Sequence, residues 1–147
     1  MFKHILIPTD GSQTALKAVR AGVTLAAETG AKVTAYCAQE PVPTRIYGEG
    51  NLANKALVAR FEEHAAEYAK QSVKAVQDEA RAAGVTCSVL ITKSALPSRG
   101  IVDAAEKRGC DAIFMASHGH RGLKKLLLGS VTNEVLTHTR IPVLVFR

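Results

Sequence analysis

The chain has 147 residues, 47% hydrophobic and 22% charged, which suits one globular domain over residues 1–147 and excludes a disordered or fibrous chain. No apolar run is long enough for a membrane span. The net charge of +6 suits an anionic ligand, whereas 5% aromatics and no tryptophan argue against a base-stacking nucleic-acid surface.

The first predicted strand is "HILIP", residues 4–8. Its apolar run is too short for a signal peptide, and no small-residue cleavage site follows, so a cytoplasmic protein is expected. Ser12 then stands as a helix N-cap, and Ala15, Val19, Val23 and Ala26 recur at helical spacing. Gly30 closes that helix before a second strand, "KVTAYCA" (32–38). Residues 39–51, with prolines and glycines, form a loop at the carboxyl end of this strand. A long helix is predicted from Leu52 to Ala83, with Leu57, Phe61, Ala65, Ala69, Val73, Val76 and Ala80 on one stripe.

Gly84 marks the joint to a third strand, "TCSVLIT" (86–92), and a helix is predicted over 98–108. Gly109 precedes the fourth strand, "DAIFMA" (111–116). A last helix runs from Ser130 to about Arg140, and "PVLVF" (142–146) is the fifth strand. Alternating strands and helices predict an α/β fold, an open five-stranded parallel sheet with helices on both faces. A flavodoxin-like strand order with strand 1 central is expected, and the near-continuous apolar strands suit a sheet covered on both sides. Cys37, Cys87 and Cys110 are scattered beside apolar runs without a CxxC pair, and are read as free, buried structural thiols.

In such sheets ligands bind beyond the carboxyl ends of the strands, where the winding reverses. That rule sets "PTDGS" (8–12) against "ASHG" (116–119). Gly119 turns the chain, and Gly129 allows close backbone approach. Ser130 opens a helix whose amides and dipole can hold an anion, and Ser130 and Thr132 add hydroxyls. Arg121, Lys124 and Lys125 supply nearby cations that are expected to be partly exposed. Plain turns and a plain cap at these positions are the alternative. No GxxxxGK[ST], GxGxxG or GxSxG pattern occurs, so a P-loop, a dinucleotide fingerprint and a nucleophile elbow are excluded. His118 and His120 have no third ligand at zinc-site spacing and are read as a coincidental pair. Asp10 is open to three roles: general base, magnesium ligand or helix-capping carboxylate.

"HILIPTDGS", "DAIFMASHG" and "GSVTNEVLTHTRIPVLVF" together resemble the universal stress protein family over essentially the whole chain. The family pattern is Gly-x-x-Gly, nine residues, then Gly-Ser or Gly-Thr. Gly119, Gly129 and Ser130 fit its second half, while Ala116 stands where the first glycine belongs. The resemblance implies an adenine nucleotide alpha-hydrolase-like variant of the fold that binds ATP, ADP or AMP. It implies that Pro8, Thr9 and Asp10 line the adenosine part of the site, with Asp10 near the ribose and Ala38 against adenine. Met115, Ala116, Gly119, Gly129, Ser130, Val131 and Thr132 then surround ribose and phosphates. A regulatory or protective stress role with further protein partners follows from the same resemblance. Slow hydrolysis with Mg²⁺ between the phosphates and Asp10 is one rival, and a nucleotide-free dimeric module closed by Ala116 is another. With no nucleophile, base pair or metal cage evident, binding is favoured over turnover. A homodimer through the strand at 142–146 is expected, from its place at the sheet edge and from the resemblance.

Overall fold

The computed structural model describes residues 1–47, 52–120 and 127–147. Five strands form one parallel sheet: β1 (His4–Pro8), β2 (Lys32–Gln39), β3 (Cys87–Lys93), β4 (Ala112–Ala116) and β5 (Val143–Phe146). Their order is β3-β2-β1-β4-β5, so β1 is central and the winding reverses between β1 and β4. The predicted α/β class and central β1 are observed, but the order is Rossmann-like and not the flavodoxin-like one expected: β3 lies outside β2 and does not pair with β1. The helices are α1 (Gln13–Thr29), α2 (Thr44–Tyr47), α3 (Leu52–Ala82), α4 (Pro97–Lys107) and α5 (Ser130–His138). The short α2 lies in the segment read as loop, because four residues are too few to show a period. The fifth strand starts at Val143, not Pro142, since proline has no amide for the ladder.

Alternation along each strand sends side chains into two cores. On one face Ile5, Ile7, Val33, Ala35 and Phe114 pack against Val19 and Val23 of α1 and Val73 and Val76 of α3. On the other, Leu6, Tyr36, Ile113 and Met115 pack against Ile101, Val102 and Ala105 of α4 and Val135 of α5. A Cβ at Gly22 would meet Ile7 Cδ1 and Phe114 Cδ1 at 2.9 Å, so the missing side chain lets α1 lie close on the sheet. Arg20 bonds Glu79 at 3.0 Å, joining α1 to α3, and Ser98 donates to Glu134 at 2.5 Å between α4 and α5.

The start and stop signals act as read. Ser12 Oγ accepts from the Ala15 amide at 3.0 Å. Gly30, Gly84 and Gly109 take φ of 70°, 69° and 64° at the three helix-to-strand joints. The stripe of α3 is only half buried. Ala69, Val73, Val76 and Ala80 are core residues, whereas Leu57 is 49% exposed and Phe61 and Ala65 are half-buried. The reason is length: a helix of 31 residues spans roughly 46 Å, against about 27 Å for the eight-residue β2. The first turns of α3 therefore overhang the carboxyl edge of the sheet, beside the crevice.

Cys37 and Cys110 are buried, Cys87 is half-buried, and all three are free. Burial pushes the Cys37 and Cys110 thiols up to about 11, so both stay protonated at neutral pH.

His4 is buried at the opposite edge, with its Nε2 2.7 Å from Thr34 Oγ1, which in turn lies 3.0 Å from Ser88 Oγ. Burial, and then the Lys32 charge, hold its pKa below the ordinary 6.5. The unfolded chain accepts a proton below 6.5 that the folded chain resists. Stability is therefore complete above 6.5 and falls as pH drops from there toward the folded pKa. The melting temperature is expected to decline across that window. His4→Gln should flatten the decline, and an unchanged slope in this variant would remove His4 as its source.

Candidate functional site

The crevice lies where the ends of β1 and β4 part. Pro8 ends β1 opposite Tyr36 of β2, and the Thr9 amide donates to the Tyr36 carbonyl at 2.8 Å. The chain then turns through Gly11, whose φ is +77° and whose missing Cβ leaves room for Tyr68 Oη and Ser72 Oγ. Asp10 sits at the centre. Its Oδ1 accepts from the Ser12 amide at 2.9 Å, and its Oδ2 accepts from the His120 amide at 2.9 Å. One carboxylate thus joins the turn after β1 to the loop after β4. Gly119 lies directly on it, and a Cβ there would collide with Asp10 Oδ2. Ala38 sits near the end of β2, half-buried against the core that holds Tyr36 and Leu6.

The other wall is built from β4 and α5. Met115 is buried under α4 and α5, while Ala116 packs on the α1 side of the sheet. Among the described residues no non-glycine has positive φ, so Ala116 stands in this backbone without strain. Gly129 is the N-cap of α5, with its amide 2.6 Å from the Ser117 carbonyl. A Cβ on Gly129 would lie 3.0 Å from Ser117 O and 3.3 Å from His118 Cα, tighter than packing tolerates without a shift. Thr132 is buried and donates to the carbonyls of Ala116 and Ser117 at 2.9 and 3.2 Å. Its hydroxyl seats α5 on the end of β4 and is not directed outward. Ser130 and Val131 form the first turn, and Gly129 has no side chain to cap their amides. By contrast, α1 carries its own cap in Ser12.

The two histidines serve different partners. His118 Nδ1 lies 3.0 Å from Ser117 Oγ, and its Nε2 is buried without a hydrogen-bond partner among the described residues. His120 Nε2 lies 2.9 Å from the Asp10 carbonyl and 2.7 Å from Tyr68 Oη. Among the described residues no group of three or more His, Cys, Asp or Glu is arranged to hold a metal. No helix there is long and apolar enough to cross a membrane. Arg121, Lys124 and Lys125, singled out as cations near the site, lie outside the described residues.

The profile of the universal stress protein family matches residues 1–147. The chain belongs to the universal stress protein family. Universal stress protein MJ0577 of Methanocaldococcus jannaschii is 37% identical over 158 residues, covering 100% of this chain and 96% of the relative. A solved structure of MJ0577 superposes with a TM-score of 0.81 at 30% identity, over 99% of this chain and 95% of that one. Two more distant universal stress proteins share the fold. One, solved in complex with cAMP, has a TM-score of 0.71 at 24% identity, over 99% and 97% of the two chains. The other, from Archaeoglobus fulgidus in complex with dAMP, has a TM-score of 0.66 at 17% identity, over 100% and 98%.

The structure thus brings Pro8, Thr9, Asp10, Gly119, Gly129, Ser130, Val131 and Ala116 to one edge of this universal stress protein fold. Tyr68 is the neighbour of Asp10 that sequence reasoning missed. It lies on the exposed side of α3, one residue before the buried Ala69, where no apolar period selects it.

Proposed function

We propose that this universal stress protein binds an adenine nucleotide, ATP foremost, in the crevice between the ends of β1 and β4. The carrying observation is the N-terminus of α5. Its N-cap is a glycine in tight contact with the end of β4, so no N-cap side chain takes up the first-turn amides and an anion can satisfy them. Phosphate suits that role, and Gly119, nine residues, Gly129 and Ser130 match the second half of the family's nucleotide pattern, with Ala116 in place of its first glycine. The relatives solved with cAMP and dAMP support adenine as the base class. On this reading Pro8, Thr9 and Ala38 lie about the adenosine, and Asp10 accepts from a ribose hydroxyl.

The residues do not favour a protein-held magnesium ion. Both Asp10 oxygens already accept amide protons, and among the described residues Asp10 belongs to no group of three or more His, Cys, Asp or Glu that could hold a metal. Any Mg²⁺ arrives with the phosphates. The role is regulatory or protective in a stress response in the cytoplasm, and binding, not rapid turnover, is its chemistry.

The test is mass spectrometry of protein denatured after gentle purification, followed by calorimetric titration with ATP. Co-purified ATP, ADP or AMP, or saturable heat of ATP binding, is the expected result. Neither signal would leave the nucleotide-free interaction module. A nucleotide time course with and without Mg²⁺ separates storage from slow hydrolysis.

We further propose a homodimer paired through β5. This strand is an edge of the sheet and its residues are half-buried. The Ile113 and Ser117 amides donate to the carbonyls of Pro142 and Phe146, so alternate residues of β5 face β4. The amides of Val143 and Val145 then point away from the sheet, toward a partner strand.

A further inference from the structure

Two side chains from distant parts of the chain converge on the main-chain carbonyl of Asp10. Tyr68, from the middle of α3 and next to the buried Ala69, places its hydroxyl 2.6 Å away. His120, one residue past Gly119, places Nε2 at 2.9 Å, and the two side chains lie 2.7 Å apart. The His120 amide meanwhile holds Asp10 Oδ2 at 2.9 Å. The proton positions follow from donor counting. A carbonyl only accepts, and the one phenol proton is directed to it at the shorter distance. Nε2 then faces two oxygens with lone pairs, so Nε2 carries the imidazole proton. The network is complete when Tyr68 is a neutral phenol. Partial burial, and then the Asp10 charge, push its pKa above the ordinary 10.

We infer that Tyr68 and His120 are positioning residues for the nucleotide site, a clasp that holds the loop after β4 against Asp10. Asp10 stands between the Ser12 and His120 amides, so its carboxylate is oriented before a ligand arrives. Gly119 is the residue that makes the contact possible, because a side chain there would strike Oδ2. An Asp10 carboxylate and a His120 backbone fixed in advance lose less entropy on binding, so the clasp strengthens ribose recognition without touching the nucleotide. The inference rests on the nucleotide reading for its consequence, whereas the clasp itself is observable in ligand-free protein.

The test pairs two measurements on wild type, Tyr68→Phe, His120→Ala and His120→Gln. Amide exchange by NMR reads the loop. Tyr68→Phe keeps the ring and loses only the hydroxyl, and protection of the His120 amide should fall about 3- to 10-fold. Calorimetry reads the site. ATP affinity should fall by a similar factor of about 3 to 10 in Tyr68→Phe and His120→Ala. His120→Gln restores a donor near the Nε2 position and should recover most of both losses. Imidazole nitrogen shifts should place the proton of wild-type His120 on Nε2. Unchanged exchange in Tyr68→Phe overturns the clasp. Lower protection with equal or higher ATP affinity overturns the positioning role, since a clasp that merely shut the crevice gives that result. If wild type binds no ATP at all, the function proposed above falls, and the exchange result alone decides the clasp.

Discussion

Gly129→Val will abolish ATP binding, with a loss of at least about 100-fold, or roughly 2.7 kcal/mol, in a chain that stays folded. The first added carbon already meets the Ser117 carbonyl at 3.0 Å and His118 Cα at 3.3 Å. A branched side chain forces α5 away from the end of β4 or projects into the space proposed for phosphate, and both outcomes spoil the amide cradle. The sheet should survive, because most of its two cores comes from β1, β2, β4, α1, α3 and α4, and α5 adds only Val135 with Val131 beside it. Calorimetry with ATP and a thermal melt measure the two halves of the claim. A folded variant with wild-type affinity would take the helix N-terminus out of the site. Ala116→Gly is the companion measurement. Ala116 has unstrained backbone and a Cβ turned to the α1 core, so affinity should stay equal or rise. Stability should drop by about 0.4–1 kcal/mol through the freer unfolded chain. A marked loss of affinity would instead make the Ala116 methyl group part of the site.

Val145→Pro will convert the proposed homodimer to monomer. In the ladder to β4 the bonded carbonyls are those of Pro142 and Phe146, which puts the Val145 amide on the outer side. Proline there removes an outward donor and leaves the bonds to β4 in place, as is tolerated on edge strands. A partner strand loses that bond and meets the ring. Leu144→Pro would by contrast remove an inward donor and damage the sheet, so the pair of variants separates dimer loss from unfolding. Sedimentation velocity reads the outcome. A folded Val145→Pro chain that still sediments as a dimer would move the association to another surface.

The fold was legible because its signals are local. Each of the three glycines ending a helix sits where a positive φ is needed, and no distant residue was required to find it. Ile5, Leu6 and Ile7 announce a strand buried on both faces by being apolar at consecutive positions. The βα alternation and crossover handedness leave few orders to choose among, but they do not select one: a flavodoxin-like order was expected, and the placement of β3 outside β2 was decided by packing. Asp10 and Gly129 were found from local signals, since each lies at the end of a predictable strand or the start of a predictable helix.

What surrounds those positions was decided only in three dimensions. Length comparison, not periodicity, explains why Leu57 is exposed on the same stripe as the buried Val76. Thr132 reads as a ligand hydroxyl in sequence, yet its proton goes to the Ala116 and Ser117 carbonyls. His118 and His120 look like a pair two residues apart, and the loop sends them to separate neighbours. Tyr68 lies 58 residues from Asp10 along the chain, and Asp10 lies 110 from His120. Sequence periodicity reports which face a residue occupies on its own element, because that depends on local backbone geometry alone. Which hydroxyl meets which carbonyl depends on how far α3 overhangs the sheet and where the loop after β4 lands. Those are properties of packed elements and not of any short run of residues.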